Sequence, residues 1–238
     1  MTYPKQMTFG LGAEPSSNRS VYEIHDCCEN GEGNNTEKSS ETGIAVIDGC
    51  GTNVASVLFA LERLGKTYSL TADPKVITKA SHVIIPGVST AKRAMGQLQE
   101  KGLLQTILNC QQPVLGICSG MQILFDSSAE GDVAGMGVFP QSVNKLPQDG
   151  YPLPHMGWNK LIMKQPEHFL LNGITQLDHV YFVHSFAAPV VEHTVASCIY
   201  GVEFSAIVAK GNFYGTQFHP ERSGKVGSMI LNNFLQCG

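Results

Sequence analysis

A chain of 238 residues with 42% apolar residues can bury a full core, in one large domain or two small ones. Residues 1–42 hold three Lys/Arg against seven Asp/Glu, which leaves 13 of each sign in 43–238, and a balanced body without a basic stripe argues against nucleic acid as a ligand. No apolar run approaches the roughly 20 residues of a bilayer span, no basic-then-apolar leader opens the chain, and seven cysteines without metal spacing read as reduced thiols, so the expected setting is the cytoplasm, away from membranes.

Residues 1–42 are polar and lack a sustained period, with stretches such as Glu29-Asn30-Gly31-Glu32-Gly33 that bury too little apolar surface to offset ordering entropy. They are expected to form a disordered extension ahead of a folded domain over 43–238. Cys27-Cys28, beside His25 and Asp26, lack the two-residue gap and the spaced fourth ligand of a metal site, so no metal is expected.

From Gly43 the pattern turns globular. Gly43 to Asp48 reads as a buried strand, and Val54, Val57, Leu58, Leu61 and Leu64 recur at helical spacing, with Asn53 as a cap and Gly65 as a stop. His82 to Pro86 and Pro113 to Ile117 read as further buried strands, separated by helices over Ala91–Leu98 and Leu103–Leu108. Strand–helix alternation predicts a parallel sheet covered on both faces. Beyond Gly135 strands dominate, including 179–185, 194–200, 204–209 and 212–218, before a closing helix near 226–235. The fold class expected is α/β, one domain on a mixed, mostly parallel central sheet with helices on both faces, and catalytic groups at strand ends.

Gly116-Ile117-Cys118-Ser119-Gly120 stands between the apolar run Pro113–Leu115 and a helical run, Met121 to Phe125. That context predicts a thiol on a sharp strand-to-helix bend, with glycines two residues to either side giving turn and room, as in a nucleophile elbow. The helix start would favour the thiolate. Far downstream, Gln217-Phe218-His219-Pro220-Glu221 ends a strand-like run, and residues two apart on extended backbone share a side. Cys118, His219 and Glu221 thus supply a nucleophile, a base and a group that fixes the base's tautomer.

Four segments, Leu115–Gln122, Pro154–Asn159, Tyr181–Ser185 and Gln217–Gly224, resemble the class I, triad-type glutamine amidotransferases, and among them the glutaminase subunits of imidazole glycerol phosphate synthase. The elbow and His-Pro-Glu are common to that superfamily, whereas Pro-His-Met-Gly-Trp-Asn and Phe-Val-His-Ser point to this subunit type. The resemblance implies hydrolysis of L-glutamine through a Cys118 thioester, without a cofactor, and an oxyanion hole from the N–H groups of Val88 and Ser119. It implies substrate contacts by Gly87, Gln122, His184, Ser185 and Phe186. It also implies a (β/α)8-barrel cyclase partner, the cyclase subunit of imidazole glycerol phosphate synthase, that receives the ammonia in histidine biosynthesis and is met by Trp158, Asn159, Tyr181 and Arg222. Ser89 and Ser119 depart from the glycine and leucine usual in this family.

Spacing alone leaves Gln122 as a solvated helix residue and His184 as a core histidine; a lone Trp is more often core than interface, yet Trp158, after Pro152-Leu153-Pro154 and beside Gly157, reads as a loop residue that also suits an interface anchor. Two other readings stay open. One is a glutaminase serving another synthase, such as anthranilate or aminodeoxychorismate synthase, or a stand-alone γ-glutamyl peptidase. The other is a binding module whose site Ser89 and Ser119 have disabled.

Overall fold

A computed structural model describes residues 43–48, 54–87 and 89–237, all within one compact unit. The expectations for 1–42, for Asn53 as a cap and for the Val88 N–H lie outside the described residues. In chain order the elements are β1 (Ile44–Ile47), α1 (Ala55–Arg63), β2 (Tyr68–Thr71), α2 (Pro74–Lys79), β3 (His82–Ile85), α3 (Ala91–Glu100), α4 (Leu104–Leu108), β4 (Val114–Ile117), α5 (Ser119–Gln122), β5 (Phe125–Ser128), β6 (Val133–Ala134), β7 (Phe139–Lys145), β8 (His155–Lys160), β9 (Ile162–Met163), β10 (His179–His184), β11 (Phe186–Ala187), β12 (Thr194–Tyr200), β13 (Val202–Lys210), β14 (Phe213–Thr216) and α6 (Gly224–Phe234).

Eight strands form the central sheet in the order β2-β1-β3-β4-β14-β13-β12-β9. The pairings from β2 through β14 are parallel and those from β14 to β9 antiparallel, so the sheet is mixed with its parallel half on the β2 side. The period of two sorts the apolar residues: Ile44 and Val46 face one core with α1 and α6, while Ala45 and Ile47 face the other with α2, α3 and α4. Val83 and Ile85 against Ile84, and Val114 against Leu115 and Ile117, repeat the alternation. Burial on both faces explains why these strands read as continuous apolar runs rather than alternating ones. Each fully buried aliphatic side chain contributes about 1.5–3 kcal/mol of transfer free energy.

Two smaller sheets flank this one: an antiparallel pair of β8 and β10, and a four-stranded sheet in the order β11-β7-β5-β6. Two expectations need correction here. The helical run after Cys118 is a single turn, α5, because Ile123 and Leu124 leave the helix and Phe125 opens β5. So short a helix has little macrodipole, and the sulfur must find its stabilisation elsewhere. Trp158 lies on strand β8, opposite Tyr181 of β10, and not on a loop.

Candidate active site

β4 and β14 are parallel neighbours, with Gly116 opposite Gly215 and Ile117 opposite Thr216. Their carboxyl ends deliver Cys118 and His219 side by side, where open α/β sheets hold ligands. The Cys118 N–H donates to Thr216 O at 2.7 Å, tying the bend to the neighbouring strand. Cys118 has φ 52° and ψ −113°, a conformation that costs a non-glycine residue about 1–3 kcal/mol and survives only where its surroundings over-determine it.

Three glycines do that over-determining. A Cβ on Gly116 would stand 2.4 Å from Gly120 O, one on Gly120 would stand 2.1 Å from Ile85 O, and one on Gly87 would stand 1.9 Å from Ile117 O and 2.4 Å from Ser119 N. The ends of β3 and β4 and the start of α5 are therefore in backbone-to-backbone contact, which no side chain permits. Gly87 closes over the Ser119 N–H, an amide at a helix start that has no acceptor four residues back within the helix.

His219 follows β14 and is held by its own backbone: its N–H donates to Tyr181 O at 3.0 Å. The Ser223 hydroxyl donates to His219 O at 2.7 Å and accepts from Tyr181 N–H at 2.9 Å. Glu221, in the 3₁₀ turn Pro220–Arg222, places Oε1 2.7 Å from His219 Nδ1. Its other oxygen, Oε2, is buried and has no hydrogen-bond partner among the described residues. Burial alone would lower the imidazole, but hydrogen bonding to Cys118 and to Glu221 outweighs it and pushes His219 up to about 10. The ring thus lies between the sulfur on one side and a carboxylate on the other, and both favour its charged form.

An open pocket of about 410 Å³ reaches Cys118 and is lined by Gly87, Ser89, Thr90, Glu130, Val183, His219 and Arg222. Sequence reasoning missed Glu130, whose Oε2 accepts from the Ala91 N–H at 2.8 Å and anchors the start of α3. Nothing local marks it, since an acid in Ser128-Ala129-Glu130-Gly131-Asp132 reads as a solvated turn.

The other expected contacts divide. Gln122 and His184 are buried and converge on the Phe186 carbonyl, at 2.7 and 2.9 Å respectively. Ser185 O accepts from Leu146 N–H at 2.9 Å, joining this strand end to the loop after β7. Trp158 is 56% exposed and meets Tyr181 edge-on at 5.9 Å, and the Asn159 amide donates to Ile199 O at the surface. Arg222 stays exposed at the pocket rim. Among the described residues no group of His, Cys, Asp and Glu is arranged to hold a metal ion.

A strained cysteine elbow beside a His–Glu pair on a mixed α/β sheet defines a class of thiol-dependent enzymes. The sequence model of the class-I glutamine amidotransferases matches residues 45–237, and the chain belongs to that family. It is 50% identical over 198 residues to the imidazole glycerol phosphate synthase subunit HisH of Haemophilus influenzae (strain 86-028NP), covering 82% of this chain and 98% of that one. It is 48% identical to subunit HisH 2 of Legionella pneumophila (strain Lens), covering 81% and 96%. Solved structures of the same fold include a glutamine amidotransferase (TM-score 0.64, 16% identity, 82% of this chain and 98% of that chain). Another is the glutaminase domain of Trypanosoma brucei CTPS (TM-score 0.57, 13% identity, 82% and 94%).

Proposed function

We propose that this protein is the glutaminase subunit of an imidazole glycerol phosphate synthase. The observation that carries the reading is the line of contacts from Cys118 through His219 to Glu221 at the floor of an open pocket. Near-complete coverage of the HisH relatives at about half identity supports the choice of synthase.

Cys118 Sγ attacks the side-chain amide carbon of glutamine, and the oxyanion is met by the N–H groups of Ser119 and Val88. His219 gives its proton to the leaving nitrogen, ammonia departs, and a glutamyl thioester remains. His219 then removes a proton from water, the resulting hydroxide cleaves the thioester, and glutamate leaves. Glu221 keeps the imidazole in the tautomer and orientation both halves need. Gly87, Gln122, His184, Ser185 and Phe186 build the wall that takes the amino-acid head of the substrate. Both N–H groups of Gln122 are spent within the protein, so it offers a ligand only an acceptor. An acceptor suits an ammonium group, as does the Glu130 carboxylate on the pocket wall.

The partner is a (β/α)8-barrel cyclase that receives the ammonia and yields imidazole glycerol phosphate and an aminoimidazole carboxamide ribotide. Trp158, Asn159, Tyr181 and Arg222 form the contact face, with Trp158 the exposed aromatic anchor. Residues 43–238 are the catalytic domain, 1–42 an extension to it, and histidine biosynthesis sets the location as cytoplasmic. No helix among the described residues is long and apolar enough to cross a membrane.

Mixing the purified chain with a barrel cyclase and assaying glutamine-dependent turnover tests the reading. Turnover requiring both proteins, and lost on Cys118→Ser, is expected. Ammonia release from glutamine by the Cys118→Ser complex contradicts the mechanism, and full activity without the cyclase contradicts the dependence on a partner.

A further inference from the structure

Cys118 is met from a second direction by an amide whose orientation the backbone dictates. The Phe186 carbonyl takes hydrogen bonds from His184 Nδ1 and from Gln122 Nε2. A carbonyl can only accept, so the Gln122 atom facing it is nitrogen and His184 is the Nδ1–H tautomer. The second N–H of Gln122 donates to Gln217 Oε1 at 3.0 Å. That fixes the Gln217 amide with its nitrogen toward Cys118 Sγ, 3.8 Å away. In the other direction, His184 Nε2 is left as an acceptor and takes the Nδ1–H of His155 at 3.1 Å.

Gln217 is fully buried, an uncommon fate for a glutamine, and its amide would be costly there without partners. One end of it is satisfied by Gln122; the other meets the sulfur. Among the described residues the sulfur is also met by the Val183 carbonyl, which accepts from the thiol at 3.9 Å, and by His219. On ionisation the thiol loses its donor bond to Val183, and His219 and Gln217 then favour the anion. His219 must surrender its proton during the reaction, whereas an amide N–H does not titrate and stays in place throughout.

We propose that Gln217 is a further catalytic contact of this site, its amide N–H holding the Cys118 sulfur in line for attack and stabilising the thiolate each time it is regenerated. Gln122, His184 and His155 are the positioning residues that fix which way that amide points. The proposal rests on Cys118 being the nucleophile, so the test separates the two claims.

Iodoacetamide labelling of the full chain is followed across pH, with the Cys118 peptide resolved from the other cysteines by mass spectrometry. The titratable and charged groups around the sulfur are His219, backed by Glu221 and coupled to His184, and, on the pocket wall, Glu130 and Arg222; all stay unaltered. Gln217→Met removes the donor at similar volume, and its labelling midpoint is expected to move up by about one pH unit, the equivalent of a tenfold weaker hold on the anion. Gln217→Glu keeps the shape and turns an acceptor to the sulfur, and a larger upward move is expected. In the cyclase complex kcat should fall about tenfold for Met and about a hundredfold for Glu while KM changes little, since the contact acts on sulfur. A Met variant that folds and labels with the unmodified midpoint overturns the proposal. Should either variant fail to fold, the wild-type chain decides: its Gln217 side-chain amide NMR resonance should follow the Cys118 titration and lose that response in Cys118→Ala, and a resonance blind to it overturns the proposal. If no cysteine shows fast labelling that Cys118→Ala abolishes, the nucleophile assignment fails instead.

Discussion

His219 and His184 are equally buried, each 6% exposed, yet they are driven in opposite directions: His219 up to about 10 and His184 down to about 3. Burial opposes the charged form of both. The difference lies in what each ring faces. His219 lies between a sulfur and a carboxylate at the end of β14, two groups that reward an imidazolium. His184, on β10, is spent on the Phe186 carbonyl and on His155, a second imidazole itself lowered by burial to about 4 and stacked between Phe182 and Tyr200. One half of the site therefore holds a mobile proton, and the other holds fixed tautomers.

Substitutions on the two sides should separate accordingly. The largest effect is expected from Glu221→Gln, which keeps the shape and removes the charge: kcat for glutamine hydrolysis in the complex should drop about 10³-fold, in the range of general-base and orienting losses. NMR titration of His219 should show its pKa falling, because an anion that raised it is gone. In the unmodified chain the stability that His219 contributes is complete below its unfolded value of about 6.5 and is lost as pH rises through about 10. A Glu221→Gln enzyme with normal kcat would erase the distinction between the halves.

On the β8–β10 side the chemistry should survive and association should suffer. Trp158→Ala is expected to weaken binding to the cyclase about 30-fold, the measure of one anchor residue, while leaving Cys118 labelling unchanged. Calorimetric titration against the cyclase checks it, and an unaltered Kd would remove Trp158 from the contact face.

A third comparison concerns acid stability. His155 and His184 are held below their unfolded values, so as pH falls from about 6.5 through about 4 and then 3 the unfolded chain takes up protons that the folded chain refuses, and stability declines. His155→Phe keeps the stacking and removes one of these groups. Relative to the parent, it should lose less stability between pH 7 and 4, by about 2 kcal/mol, read from urea unfolding at each pH. An identical pH slope would mean that the pair is not held neutral.

The nucleophile elbow was legible because its glycines are local: Gly116 and Gly120 flank Cys118 in the sequence and are needed by the same bend. His219 and Glu221 were legible because their spacing and residue types name a job. What escaped depends on contacts between distant segments. Glu130 gains meaning only when it caps Ala91, 39 residues away, and Gln217 only when Cys118, 99 residues away, faces its amide. Trp158 reads as a loop residue because Pro152, Pro154 and Gly157 surround it, and the pairing with Tyr181 that makes it a strand is long-range. The shortness of α5 escaped for the same reason. Phe125 continues an apolar run, and only its pairing with Phe139 turns the chain into a strand.

The whole mechanism depends on Cys118 carrying the glutamyl group. Acid quenching of the cyclase complex during turnover of labelled glutamine, followed by peptide mapping, tests it most directly. A glutamyl adduct on the peptide containing Cys118, absent from Cys118→Ala, is expected; an adduct on any other residue, or undiminished turnover in Cys118→Ala, would overturn the mechanism.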